Sequence, residues 1–130
     1  MSNHREEYRV EGLPEPLSHY TDAVRAGNLL FVSGYIAVDG DGHLVGGDDV
    51  VAQARQVFAN LEATLAAAGA SIHDVVKVTV FLTDVGDRAA VNEVRQEVFG
   101  ATRPASTLVE VSSLVLERAR IEIDAVALLP

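Results

Sequence analysis

Between Val75 and Asp84 apolar residues occupy alternate positions without a break. Val76, Val78, Val80 and Leu82 fall on one side, and Val75, Lys77, Thr79 and Phe81 on the other. β-branched residues fill most of these positions, which suits a pleated surface packed on both sides, so the segment is expected to be a central strand. On either side the period lengthens to that of a helix. Val50, Ala54, Val57, Leu61, Leu65 and Ala68 form one stripe over residues 50–68, with Asp48 or Asp49 as N-cap and Gly69 as terminator. Val91, Val94 and Val98 form another over residues 88–98, with Asp87 as cap and Phe99-Gly100 as its end. Asn92 and Arg95, three apart, are neighbours on the opposite side of that helix. Strand, helix, strand, helix, strand requires crossover connections and a sheet with helices on one face. The other sheet face then has no cover from this chain.

The N-terminal half adds strands. Tyr8–Val10 reads as a short edge strand after a polar, frayed start over residues 1–7. Tyr20–Arg25 and Leu29–Ile36 read as a hairpin around Ala26-Gly27-Asn28. Within the second of these, Ser33-Gly34 marks a bulge or a close backbone approach to another group. Two strands follow the second helix, Ser106–Val111 and Arg120–Leu128. In the last, Ile121, Ile123, Ala125 and Ala127 oppose Glu122, Asp124, Val126 and Leu128.

Composition narrows the function. The 130 residues are expected to form one domain. Aromatics are 5% of the chain and Trp is absent, so Val, Leu, Ile and Ala must build the core. Ten basic residues against 19 acidic ones give a net charge of −9, which argues against nucleic acid and anionic membranes as partners. The absence of Cys removes disulfides, thiolate nucleophiles and Cys-based metal sites, and fits a reducing, cytoplasmic setting. The start carries no apolar run, so no signal peptide is expected.

Candidate chemistry is sparse. Asp39-Gly40-Asp41-Gly42 resembles a calcium loop, but Val50 stands at its twelfth position where a Glu is needed, so it reads as a turn. His4, His19, His43 and His73 lack zinc spacing, no metal is expected, and no glycine motif signals a nucleotide cofactor. Ser33 lacks the G-x-S-x-G context of a serine hydrolase. Glu122 and Asp124 remain, about 7 Å apart by strand rise. Two readings stay open for these carboxylates in an apolar strand. Either the strand is an edge whose second face meets water, or Lys77 or Arg120 pairs with one of them; alternatively, one faces a pocket and acts as a general base on water.

Seven segments in order, PLSHYTDAV, AGNLLFVSG, QARQVFANLEATLAAAG, DVVKVTVFLTD, AVNEV, RPASTLVEV and IEIDAVA, resemble the Rid family, also called YjgF/YER057c/UK114, from Pro14 to Leu128. The resemblance implies a chorismate-mutase-like α+β fold, a homotrimer with small-molecule clefts between subunits, and cofactor-free hydrolysis of reactive enamines or imines to a carbonyl compound and ammonia. It implies Glu122 as the water-activating residue and Tyr20, Ser33 and Asn92 as substrate-binding residues. One family feature is missing. Deaminase members have an arginine after Pro-Ala that clamps the substrate carboxylate, and here Ser106 follows Pro104-Ala105. Ser106 and Thr107 would line that place, and a hydroxyl cannot replace a bidentate guanidinium worth roughly 1.5 to 3 kcal/mol. Arg103 lies nearby with the opposite strand parity, and Tyr35 stands where the family often has glutamine. The expectation is therefore a RidA-like deaminase of altered specificity. The alternatives are a non-catalytic trimeric binding or regulatory protein, and a pathway-specific deaminase of the aminomuconate type.

Overall fold

A computed structural model of the protein describes residues 4–130. Six strands form one mixed sheet: β1 (Arg5–Tyr8), β2 (Ala23–Ala26), β3 (Leu29–Tyr35), β4 (Val75–Leu82), β5 (Ala105–Glu110) and β6 (Ile121–Leu128). Their order is β1-β2-β3-β6-β4-β5, with β4 and β5 parallel and every other pair antiparallel. Two helices, α1 (Val50–Ala67) and α2 (Arg88–Phe99), supply the crossovers and cover one face. The architecture is α+β, as the family resemblance implies, with both helices on one sheet face, as the alternation of periods predicts.

The last strand, β6, is inserted between β3 and β4. This removes the edge-strand explanation for Glu122 and Asp124, because both sides of β6 are occupied by hydrogen-bonded neighbours. Alternation on β6 holds throughout: Ile121, Ile123, Ala125 and Ala127 are buried under the helices, and Glu122, Asp124 and Val126 face the other way. Leu61 and Leu65 of α1, Val91 and Val94 of α2, and Val78, Val80 and Leu82 of β4 complete this core. Each fully buried Leu or Ile contributes about 1.5–3 kcal/mol.

Polar side chains tie α1 to the loops beneath it. Gln53, fully buried, donates to the carbonyls of Gly47 (2.7 Å) and Arg118 (3.0 Å) and accepts from the Arg120 amide (2.8 Å). Asp49 is the α1 N-cap, accepting from the Val51 and Ala52 amides. Asp87 does not cap α2: its carboxylate is held by Arg120 through two bonds of 2.8 and 3.0 Å, so a longer-range ion pair takes it from the helix end.

Two other expectations shift. The alternation in β4 is broken by a bulge between Val75 and Lys77, which buries Val75 (3% exposed) and turns Val76 outward (45%). The edge strand is Arg5–Tyr8 rather than Tyr8–Val10, and it recruits residues 5–7 that were expected to fray, by pairing with Ala23–Ala26. Its side chains are mostly exposed, so no hydrophobic alternation announces it. The rest of the expected fray, residues 1–3, lies outside the described residues.

The sheet face away from the helices carries Phe31, Leu128 and Val109, all exposed, together with the partly buried Phe81 and Val126. That is the uncovered face expected from the sequence.

Candidate active site

The hairpin β2-β3 turns at Gly27-Asn28, and β3 then runs along β6 until its register slips between Val32 and Tyr35. Val32 pairs with Ala125 and Tyr35 with Ile123, so Ser33 and Gly34 together stand opposite the single residue Asp124. This is a β-bulge, and it re-aims the chain. Gly34 is needed there for space. A Cβ on Gly34 would lie 2.3 Å from Oε2 of Glu122 and 2.8 Å from its Cδ, so the carboxylate occupies the volume any other residue would take.

Glu122 borders a cleft of about 740 Å³ between the Pro14–Ser18 loop, the β3 bulge, the Gly40–Gly42 turn and Val115-Leu116. Tyr20 and Ser33 line the same cleft. The Tyr20 hydroxyl accepts from the Leu17 amide at 3.2 Å and keeps its own proton free to donate. The Ser33 hydroxyl donates to the Thr21 carbonyl at 2.6 Å, leaving its oxygen lone pairs for a ligand donor. Glu122 itself is half-buried. Lys77 donates instead to Val78 O, Thr79 Oγ1 and Thr107 Oγ1, and Arg120 is engaged by Asp87, so neither cation neutralises it. Burial, and to a smaller degree the neighbouring Asp124 charge, push the Glu122 carboxyl above its ordinary value of 4.5.

Asp22, which the sequence places inside the expected strand Tyr20–Arg25 without singling it out, precedes β2 and is buried in the cleft wall. It accepts from the Arg9 guanidinium and from the Val10 amide (2.7 Å), and so fixes the chain entering β2. Tyr35 is buried too. Its hydroxyl meets Thr64 of α1 at 2.5 Å, so this side chain is directed into the helix layer, and burial raises its pKa. His19 is exposed and does not line the cleft.

The other expected site residues lie elsewhere on the chain. Asn92 is exposed on α2. Ser106 pairs in register with the buried Val78 and therefore faces the helix side of β5, whereas Glu122 pairs with Phe81 on the open side. Its hydroxyl accepts a 2.8 Å bond from Arg95 of α2. Thr107 faces the open side and accepts from Lys77 at 3.3 Å. Arg103 is exposed, and the cation that reaches Ser106 is Arg95. Helix periodicity made Arg95 a neighbour of Asn92 but gave no sign of which strand it would touch. One copy of the chain thus divides the expected residues into two groups on opposite sides of the sheet.

Among the described residues, Asp39, Asp41 and His43 are the acidic cluster with its side-chain ligand atoms close together, all within 4.8 Å. Asp39 Oδ1 already accepts from the Asp41 and His43 amides, which is the geometry of the expected turn.

Comparison with known proteins places the chain firmly. The family model described as Endoribonuclease L-PSP matches residues 11–129. A RutC family protein of Pyrococcus horikoshii is 47% identical over 119 residues, covering 91% of this chain and 93% of that protein. A 2-iminobutanoate/2-iminopropanoate deaminase of Salmonella typhimurium is 40% identical over 121 residues, again covering 91% and 93%. The crystal structure of the yeast protein YEO7 superposes with a TM-score of 0.93 at 33% identity, over 98% of this chain and all of that one. With its fold, its segment order and these relatives in agreement, the chain belongs to the YjgF/RidA family.

Proposed function

We propose that the protein hydrolyses a reactive imine or enamine to a carbonyl compound and ammonia, with Glu122 as the base that orients and deprotonates water. The observation that carries this reading is the state of Glu122: half-buried in a cleft, in none of the ion pairs among the described residues, raised in pKa, and given room by Gly34. A carboxylate with a raised pKa is a better proton acceptor near neutrality than one in water. Water adds to the imine carbon as Glu122 takes one of its protons, and Glu122 passes that proton to the imine nitrogen, which gives a neutral carbinolamine. Glu122 then takes the hydroxyl proton as the C=O bond forms and delivers it to the nitrogen as the C–N bond breaks, so ammonia leaves and the carboxylate is regenerated. Tyr20 and Ser33 bind the substrate at the same cleft, the first as donor and the second as acceptor. No group beyond the side chains and water enters the scheme.

The split of Glu122 from Asn92 and Ser106 supports an assembly in which a second copy completes the site. The apolar open face supports the same conclusion, because a surface bearing Phe31, Leu128 and Val109 favours association. A homotrimer is the assembly proposed, with each cleft meeting the α2–β5 seam of the adjacent subunit. Nucleic acid is a poor fit despite the description attached to the family model. The cleft is lined by Glu15, Asp22, Asp41 and Glu122 and by no Lys or Arg, which opposes a phosphate backbone.

The test is hydrolysis of 2-iminobutanoate and 2-iminopropanoate generated in situ, with semicarbazide competing for the imine. Wild type is expected to accelerate ketoacid formation, and Glu122→Gln to lose at least about 100-fold of that acceleration. A wild type without effect on either imine, or a Glu122→Gln variant as active as wild type, rules out this assignment.

A further inference from the structure

We infer that Arg95, with Ser106, forms an anion-binding subsite at the α2–β5 seam that holds a carboxylate of the ligand. The inference deepens the function proposed above and rests on it for the identity of that ligand.

Three observations lead there. Arg95 lies half-buried on α2, and its guanidinium reaches across to β5, where Nη2 donates to Ser106 Oγ at 2.8 Å. None of the ion pairs among the described residues includes it. Glu97, two residues on, is taken by Arg55 through bonds of 2.6 and 3.3 Å, which leaves Arg95 without that counter-ion. A guanidinium has five N–H donors, and one is used here by a neutral hydroxyl.

Burial without a countercharge is unfavourable for a cation, and it lowers the pKa of Arg95 while leaving it protonated. An incoming carboxylate removes that penalty and takes up the unused donors in the forked geometry that suits it. Ser106 strengthens the arrangement. Because its oxygen accepts from Arg95, its own proton is free to donate to the same anion. The chain carries a net charge of −9, so an anionic ligand is repelled by most of the surface and needs such a local cation. Asn92, one helical turn earlier on the same face as Arg95 and exposed, adds an amide at the rim.

Arg95 therefore supplies from a helix the charge that Ser106 lacks on the strand. It places the cation one layer back from β5, so the carboxylate it accepts sits deeper toward α2 than one bound directly by a strand residue.

The experiment is a calorimetric or NMR titration of the intact protein with 2-oxobutanoate and with its neutral amide, for wild type, Arg95→Gln, Arg95→Lys, Ser106→Ala and Lys77→Met. Wild type is expected to prefer the acid over the amide. Arg95→Gln should weaken acid binding roughly 10- to 100-fold and leave amide binding unchanged. Arg95→Lys should fall between, Ser106→Ala should lose less than Arg95→Gln, and Lys77→Met should bind as wild type. Equal acid affinity in wild type and Arg95→Gln overturns the inference, as does a loss confined to Lys77→Met or a wild type that does not distinguish acid from amide. Thermal melts identify any variant that fails to fold, and Arg95→Lys then carries the test. Binding is read without turnover. A protein that binds the acid through Arg95 but hydrolyses no imine refutes the proposed activity alone, while hydrolysis with unchanged KM in Arg95→Gln refutes the subsite alone.

Discussion

Gly34 and Glu122 share one volume: a methyl group on the glycine would sit 2.3 Å from Oε2 of the glutamate, 2.8 Å from Cδ and 3.1 Å from Cγ. The contact is between β3 and β6, at the bulge where two residues of one strand face a single residue of the other. Gly34→Ala must displace the carboxylate, because backbone on the β3 side is held in the sheet while the glutamate side chain is free to rotate. The expected outcome is a fall in kcat of at least about 10-fold with a small change in melting temperature, since a displacement near 1 Å at a reacting group is enough for such a loss. Steady-state kinetics with a melt of the same sample check it.

The raised pKa of Glu122 fixes the direction of two pH effects. As a base it must be ionised, so activity should rise with pH through a value above 4.5 and then level off. Asp124→Asn removes the smaller contribution to that shift and should move the acid limb of the profile to lower pH. Stability runs the other way. The folded state binds this proton more tightly than the unfolded chain, so the stability associated with protonated Glu122 is present at low pH and lost as pH rises through the folded pKa. Glu122→Gln should therefore melt at or above the wild-type temperature near pH 7 while losing activity, a combination that melts and pH–rate profiles would establish together.

Much of this arrangement is legible in the sequence because it is local. Alternation placed β4 and β6 and separated the two sides of each, and a glycine inside a strand signalled a bulge or close approach at Gly34. What depends on pairing between distant segments is not legible. Nothing in IEIDAVA says that the last strand enters the sheet between the third and the fourth, and that insertion decides whether Glu122 meets bulk water or a cleft. The bulge at Val76 was hidden because valine stands at both 75 and 76, so either could have been the buried one. Asp87 looked like a cap from its position alone, yet Arg120, 33 residues away, outcompetes the helix end. Arg95 was visible as a surface cation and became informative only when β5 was placed beside α2.

Gln53 is the buried polar residue whose removal should cost most. It satisfies two carbonyls and one amide with a single side chain, tying the start of α1 to the segment that enters β6. Gln53→Leu keeps the volume approximately but leaves Gly47, Arg118 and Arg120 backbone groups without this partner. A loss of about 2–4 kcal/mol is expected, from the desolvation of groups left unpaired. Chemical denaturation with an unchanged m-value would confirm it, and a loss below about 1 kcal/mol would mean that water replaces the side chain at little cost.

Phe31 tests the assembly. It stands 45% exposed at the centre of the open face, paired across the sheet with Val126 and in the same layer as Leu128 and Val109. In an isolated chain Phe31→Asp changes a solvent-facing side chain and should alter stability little. In a trimer the same change places a carboxylate in an apolar interface, where an unpaired charge is expensive. Light scattering should then show wild type at three times the chain mass and Phe31→Asp at a lower multiple, with a native far-UV spectrum. Activity should fall with the assembly, because Glu122 of one copy would lose the Asn92 and Arg95 of the next. A monomeric Phe31→Asp that kept full activity would show instead that each chain carries a complete site.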